Sequence, residues 1–154
     1  MKAAAVLGLL LAAPAFGAST GQSKHVKVAL LSEAEIIRGG QPFRVGLHMK
    51  LDRGWHTYWR NPGDAGLPAR FKWTLPEGFT AGPILWPVPH RIPAAPLMSY
   101  GYKDEVLLAV EIVPPATLPA GEVSLALKAD WLECAEVCLP AKAELDLILT
   151  VGEE

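Results

Sequence analysis

Residues 123–149 read VSLALKADWLECAEVCLPAKAELDLIL. In the first half Val123, Leu125, Leu127, Ala129 and Trp131 alternate with Ser124, Lys128 and Asp130. In the second half Leu139, Ala141, Ala143, Leu145, Leu147 and Leu149 alternate with Lys142, Glu144 and Asp146. A period of two is that of a strand with one buried face. Between the two runs stand Cys134 and Cys138. In a continuous strand their Cα atoms would lie about 13 Å apart at ~3.3 Å per residue. A disulfide needs roughly 4.4–6.8 Å. A helical turn would also bring the cysteines together, but the flanking alternation favours a hairpin. One strand arrives through Trp131, the other leaves through Leu139, and Ala135-Glu136-Val137 form the reversal. Both sulfurs then sit at the hairpin end, close enough to bond.

The same period recurs upstream. Phe43, Val45, Leu47 and Met49 alternate with Arg44, Gly46, His48 and Lys50, after a turn signal at Gly39-Gly40. Phe71, Trp73 and Leu75 alternate with Arg70, Lys72 and Thr74. His25 to Leu31 is a short apolar run, and Val106 to Val113 is an apolar strand candidate that ends at Pro114-Pro115. No long stretch has helical periodicity with caps. Short strands with frequent turn signals predict an all-β fold, an immunoglobulin-like antiparallel β-sandwich. Residues 54–102 hold four of the five tryptophans, all three tyrosines and eight prolines. Proline donates no ladder hydrogen bond, so long rigid loops carrying aromatic rings are expected there. Residues 83–96, with five prolines, are expected to form an extended edge segment.

Composition narrows the functional classes. The chain has 154 residues, 51% of them hydrophobic and 19% charged, which excludes a disordered chain. Its 14 basic and 16 acidic residues offer no basic field for nucleic acid. Fourteen prolines and 14 glycines argue against a helical bundle. Residues 1–17 read as a signal peptide: Lys2, an apolar run from Ala3 to Ala13, then Ala15-Phe16-Gly17 as a cleavage site. That run is too short to span a bilayer, which needs about 20 residues. The expected organisation is a leader over 1–17, a disordered segment over 18–24 and one domain over 25–151. Export, with a bacterial periplasm as the expected compartment, would put the cysteines where disulfides persist.

Three readings of the pair stay open. A structural disulfide over so short a loop stabilises weakly. A redox-active pair suits an exposed turn, where small rings are accessible and labile. A metal site would combine both cysteines with one or two of His25, His48, His56 and His90, or a Met with Cu(I). No second Cys or His cluster supports zinc, and no metal or other cofactor is expected. Asp130, Glu133 and Glu136 flank the sulfurs and would hold a thiol pKa up, so the pair reads as one that waits to be attacked as a disulfide or that needs its partner to activate it.

Four stretches together resemble the N-terminal periplasmic domain of the DsbD and ScsB transmembrane disulfide reductases. They are Gly54-Trp55-His56-Thr57-Tyr58-Trp59-Arg60-Asn61-Pro62-Gly63-Asp64, then Trp73-Thr74-Leu75-Pro76, then Tyr100-Gly101-Tyr102, then Cys134 to Pro140. The resemblance covers about His25 to Val151 and is closer to the ScsB-like branch, since DsbD itself has a longer cysteine spacing. It implies a protein-disulfide reductase component with Cys134 and Cys138 as the active pair. It implies reducing equivalents passed from a transmembrane DsbD/ScsB-type donor, through a thioredoxin-like domain, to oxidised periplasmic proteins. It also suggests settings such as cytochrome c biogenesis and copper tolerance. Thioredoxin-like periplasmic proteins are thus the expected partners, and a monomer the expected state. No transmembrane or thioredoxin-like part follows in the sequence. The electron source is therefore expected in a longer protein of which this is a fragment, or in a separate protein.

A loop aromatic caps the sulfurs in DsbD. The matching region is Leu97 to Tyr102, with Ser99 at the capping position and Met98 or Tyr100 as substitutes; Tyr102, Trp55, His56 and Tyr58 complete the candidate cap and partner surface. His56 reads either as a proton donor or partner contact near the sulfurs or, the favoured reading, as a partly buried loop histidine. Cys138 is the expected partner-bonded sulfur and Cys134 the resolving one. This rests partly on the resemblance. It rests partly on the apolar Leu139-Pro140 and Lys142 on the Cys138 side, against Asp130 and Glu133 on the other. The rival functions are a copper-handling module using the same cysteines and an interaction domain with a structural disulfide.

Overall fold

A computed structural model describes residues 18–152. The expected leader, 1–17, lies outside the described residues. Among the described residues twelve strands form two facing sheets. They are β1 (Ser19–Gln22), β2 (Val26–Ser32), β3 (Ile36–Ile37), β4 (Phe43–Leu51), β5 (His56–Gly63) and β6 (Arg70–Thr74). Then follow β7 (Thr80–Leu85), β8 (His90–Ala94), β9 (Leu97–Lys103), β10 (Glu105–Val113), β11 (Gly121–Cys134) and β12 (Cys138–Val151). One sheet has the order β1-β2-β4-β10-β7; the other runs β3-β12-β11-β5-β9-β8, with β6 also on β11. Every pairing is antiparallel except β3 on β12. The fold is the immunoglobulin-like β-sandwich that the alternation predicts.

The core forms where the alternating faces meet. From one sheet come Val28, Leu30, Phe43, Val45, Leu47, Met49, Leu108 and Ile112; from the other Leu125, Leu127, Ala129, Trp131, Leu145 and Leu147, all buried. Burial of this much apolar surface is the main force holding the sheets together. β11 and β12 pair without a break from Gly121↔Val151 to Cys134↔Cys138, so the hairpin reverses over the three expected residues.

Two expectations are corrected. Residues 18–24 are not disordered throughout: β1 pairs with β2 from Ser19↔Leu30 to Gln22↔Lys27, and the Ser19 hydroxyl accepts the Asp146 N–H at 3.2 Å. Its polar composition hid a strand that needs only ladder bonds and one half-buried face. Residues 54–102 are mostly strand rather than long loops. Proline is accommodated there at edges and irregularities. Pro83 lies in edge strand β7, where the register with β10 shifts, and Pro93 lies in edge strand β8. The five-proline segment thus runs from edge strand β7 through a connection and edge strand β8 into the turn before β9.

Candidate functional site: the disulfide at the hairpin end

The ladder of β11 and β12 places Cys134 directly across from Cys138, with Cα atoms 4.1 Å apart and the sulfurs bonded at 2.06 Å. That separation is close to the ~4.5 Å of a non-hydrogen-bonded cross-strand pair. The two cysteines differ in access: Cys134 is 1% exposed, whereas Cys138 and Ala135 to Val137 are exposed. Within the reversal the Ala135 N–H donates to the Val137 carbonyl at 2.9 Å.

β5 runs beside the hairpin end. His56 pairs with Cys134 on one side and with Lys103 of β9 on the other. Two residues on, and so on the same face, Tyr58 is buried, and its hydroxyl lies 3.6 Å from Cys138 Sγ. His56 Nε2 lies 3.2 Å from the Tyr58 hydroxyl, and the two rings meet edge to face. Burial, and secondarily the Lys103 charge, lower the His56 pKa; burial raises that of Tyr58. His56 is therefore a half-buried strand residue beside the disulfide rather than a loop histidine.

Two glycines hold β5 in place. A Cβ on Gly66, whose φ is +106°, would run into the Tyr58 ring, so the backbone of the β5–β6 connection lies flat against that ring. A Cβ on Gly101 would collide with the Thr57 carbonyl, so only glycine lets β9 approach β5 this closely.

Behind Cys134 lies Glu133, 1% exposed. Its carboxylate accepts hydrogen bonds from the Ser23 hydroxyl, from the His25 N–H at 3.1 Å and from Trp131 Nε1–H at 3.3 Å. His25 in turn stacks on Trp55, with ring centroids 3.6 Å apart. Glu133 thus faces inward and ties the chain before β2 to the hairpin, instead of flanking the sulfurs in solvent. Of the three acids expected to surround the pair, Glu136 sits exposed in the reversal itself.

The other candidates make different contacts. The Tyr102 hydroxyl donates to the Pro87 carbonyl at 2.8 Å, and burial pushes its pKa up to about 12. Tyr100 meets Trp59 edge to face at 6.4 Å, and the Met98 N–H donates to Asp64 Oδ2 at 2.8 Å. Ser99 is buried, and its hydroxyl donates to the Ala65 carbonyl at 3.1 Å. Leu97 to Tyr102 is sheet strand β9, and the aromatic hydroxyl at the sulfur comes from β5. An open groove of about 710 Å³ borders the reversal, lined by Trp55, His56, Ile92, Pro93 and Val137 among others. Among the described residues no three His, Cys, Asp or Glu side chains converge as a metal site.

Sequence comparison decides the relationship. Residues 27–150 match the family described as thiol:disulfide interchange protein DsbD, N-terminal. The chain belongs to this DsbD N-terminal family. Among solved structures, this DsbD-type chain is similar to the N-terminal periplasmic domain of ScsB from Proteus mirabilis. The identity is 24% and the TM-score 0.63, over 86% of this chain and 50% of that one. The chain therefore spans half the length of the ScsB domain, and the likeness shows the shared fold. A second solved structure, the GAE domain of yeast GGA1, is similar at 12% identity and a TM-score of 0.44, over 84% of this chain and 96% of that one. No curated protein matches. The chain thus belongs to a family named for thiol:disulfide interchange and carries one disulfide, Cys134–Cys138.

Proposed function

We propose that the domain works in the periplasm as the exchange module of a protein-disulfide reductase, with Cys134 and Cys138 as the redox pair. Cys138 is the sulfur that partners join. The observation that carries this reading is the asymmetry of the bond: Cys138 is exposed at the hairpin end, whereas Cys134 is buried behind it. Exchange proceeds by thiolate attack along an accessible disulfide sulfur. A donor thiolate adds to Cys138 Sγ, and the Sγ–Sγ bond breaks with its electron pair on Cys134. The donor's second thiolate then attacks its own sulfur in the mixed disulfide, leaving the domain with two thiols and the donor oxidised. In the opposite half-cycle Cys138 attacks an oxidised protein, and Cys134 resolves the mixed disulfide by bonding again to Cys138.

Family membership supports a thioredoxin-like protein, fed by a membrane-embedded reductase, as donor. The groove beside the reversal supports a protein-sized contact there, with Trp55 and Val137 on its walls. The test uses single-cysteine variants and a thioredoxin-like partner whose own resolving cysteine is removed. Cys134→Ser traps a covalent complex, and Cys138→Ser traps little. The reverse pattern would reject the assignment of roles, and no trapping by either would reject the exchange reading.

A further inference from the structure

We propose that Tyr58 and His56 form a proton relay for Cys138, with Tyr58 as a catalytic residue touching the sulfur and His56 as a positioning residue acting through it. The proposal rests on the reading of Cys134–Cys138 as an exchanging pair and adds the fate of the proton. The chain of contacts is continuous: Cys138 Sγ to the Tyr58 hydroxyl at 3.6 Å, and that hydroxyl to His56 Nε2 at 3.2 Å. Both side chains come from one strand at alternate positions, so the β5 backbone sets their spacing. Gly66 lies against the tyrosine ring, and pairing with Cys134 and Lys103 fixes the histidine from both sides. A buried tyrosine hydroxyl needs a partner in any case, as Tyr102 has in the Pro87 carbonyl, but this one lies between the reacting sulfur and a base.

The chemistry follows from the reduced state. A thiol must lose its proton before it attacks. The Cys138 proton passes to the Tyr58 oxygen while the tyrosine proton passes to His56 Nε2, leaving a thiolate and an imidazolium. The thiolate bonds to one sulfur of the oxidised protein, and the other sulfur leaves as a thiolate. Cys134 loses its proton to solvent and then bonds to Cys138, releasing the first substrate sulfur. Two thiols of the domain become a disulfide and one substrate disulfide becomes two thiols: the imidazolium returns its proton to one released thiolate, and the other takes from solvent the proton that Cys134 gave up. A neutral imidazole is required at the start, and burial, with Lys103 second, lowers the His56 pKa in that direction. The other charged groups on the groove are Arg53 and Asp104 beside Lys103, and Glu136 in the reversal. On the sulfur side of Tyr58 stands the uncharged disulfide.

The test follows carbamidomethylation of Cys138 by iodoacetamide in the reduced chain, read by peptide mass over about pH 5 to 9. The parent is expected to show a step below neutrality, from protonation of His56, in addition to the titration of the thiol. Tyr58→Phe is expected to lower the rate at neutral pH by about tenfold, the scale of a hydrogen bond to a charged group. His56→Gln is expected to abolish the low-pH step while the circular dichroism spectrum stays that of the parent. A folded Tyr58→Phe protein reacting within about twofold of the parent at every pH would overturn the relay. If Tyr58→Phe does not fold, the His56→Gln profile decides alone: loss of the step supports the relay and its retention overturns it. Alkylation needs no protein partner. A chain that keeps both features yet never exchanges with a thioredoxin-like protein would therefore refute the exchange reading and leave the relay standing.

Discussion

Replacing Glu133 by alanine removes an acceptor shared by three donors. The half-buried Ser23 hydroxyl keeps the Val26 carbonyl at 3.1 Å, but the His25 N–H and the buried Trp131 indole N–H lose their side-chain partner. An unpaired buried polar group costs about 1–3 kcal/mol. Urea unfolding of Glu133→Ala should show a loss of at least that size, and Glu133→Gln, which keeps an acceptor, a smaller one. The inward turn of Glu133 was legible in the alternation, because Leu127, Ala129, Trp131 and Glu133 share a parity. Its charge drew it instead toward the sulfurs in the reading of the sequence. Its partners Ser23 and His25 were beyond reach, lying more than a hundred residues away along the chain. His56 gives a second prediction. Its pKa in the fold is lowered, first by burial, so below its ordinary value of about 6.5 the unfolded chain binds a proton that the folded chain does not. Stability should fall as pH drops below that value. In His56→Gln the fall should be shallower, as measured by melting temperature against pH.

At the scale of elements, β11 and β12 hold each other through fourteen residues apiece, and the disulfide merely closes their end. A bond over so short a loop removes little chain entropy, about 2 kcal/mol by loop closure. The double variant Cys134→Ser, Cys138→Ser should therefore stay folded, with a denaturant midpoint lowered by no more than that amount implies. Unfolding at ambient temperature would show the bond to be structural. This hairpin was legible because two long alternating runs flank a fixed pair. β6 was legible in the alternation of Phe71 and Trp73 with Arg70 and Lys72; β5 and β7 to β9 were not, because each is short and three of them, β5, β7 and β8, contain proline. What makes them strands is pairing, as where Gly101 admits the Thr57 carbonyl. Local composition is silent on such contacts. Tyr58 was legible as a candidate beside the pair, and the same limit hid only that its hydroxyl would be the one to meet the sulfur.

For the whole molecule, two facing sheets and a core drawn from both were readable from periodicity; the order of strands was not. β4 meets β10, and β5 meets β11, across long stretches of sequence, and such pairings are chosen by the assembled core. Tyr102 reports on that assembly. It is 3% exposed, and its pKa is pushed up to about 12 by burial. Above pH ~10 the unfolded chain loses a phenolic proton that the folded chain keeps, so stability should decline as pH rises through about 10 to 12. Tyr102→Phe should remove that part of the decline in alkaline unfolding curves. The prolines of the two edge strands carry a different consequence. The Met98 N–H turns to Asp64, away from Pro93, so the N–H that Pro93 lacks would have faced outward from β8. Pro83 likewise has none to give at the bulge of β7. An open sheet margin invites a stranger's backbone to zip on, and from there to fibrils. At β7 and at β8 the margin withholds a donor from that zipper, a guard against aggregation in crowded surroundings full of half-folded chains.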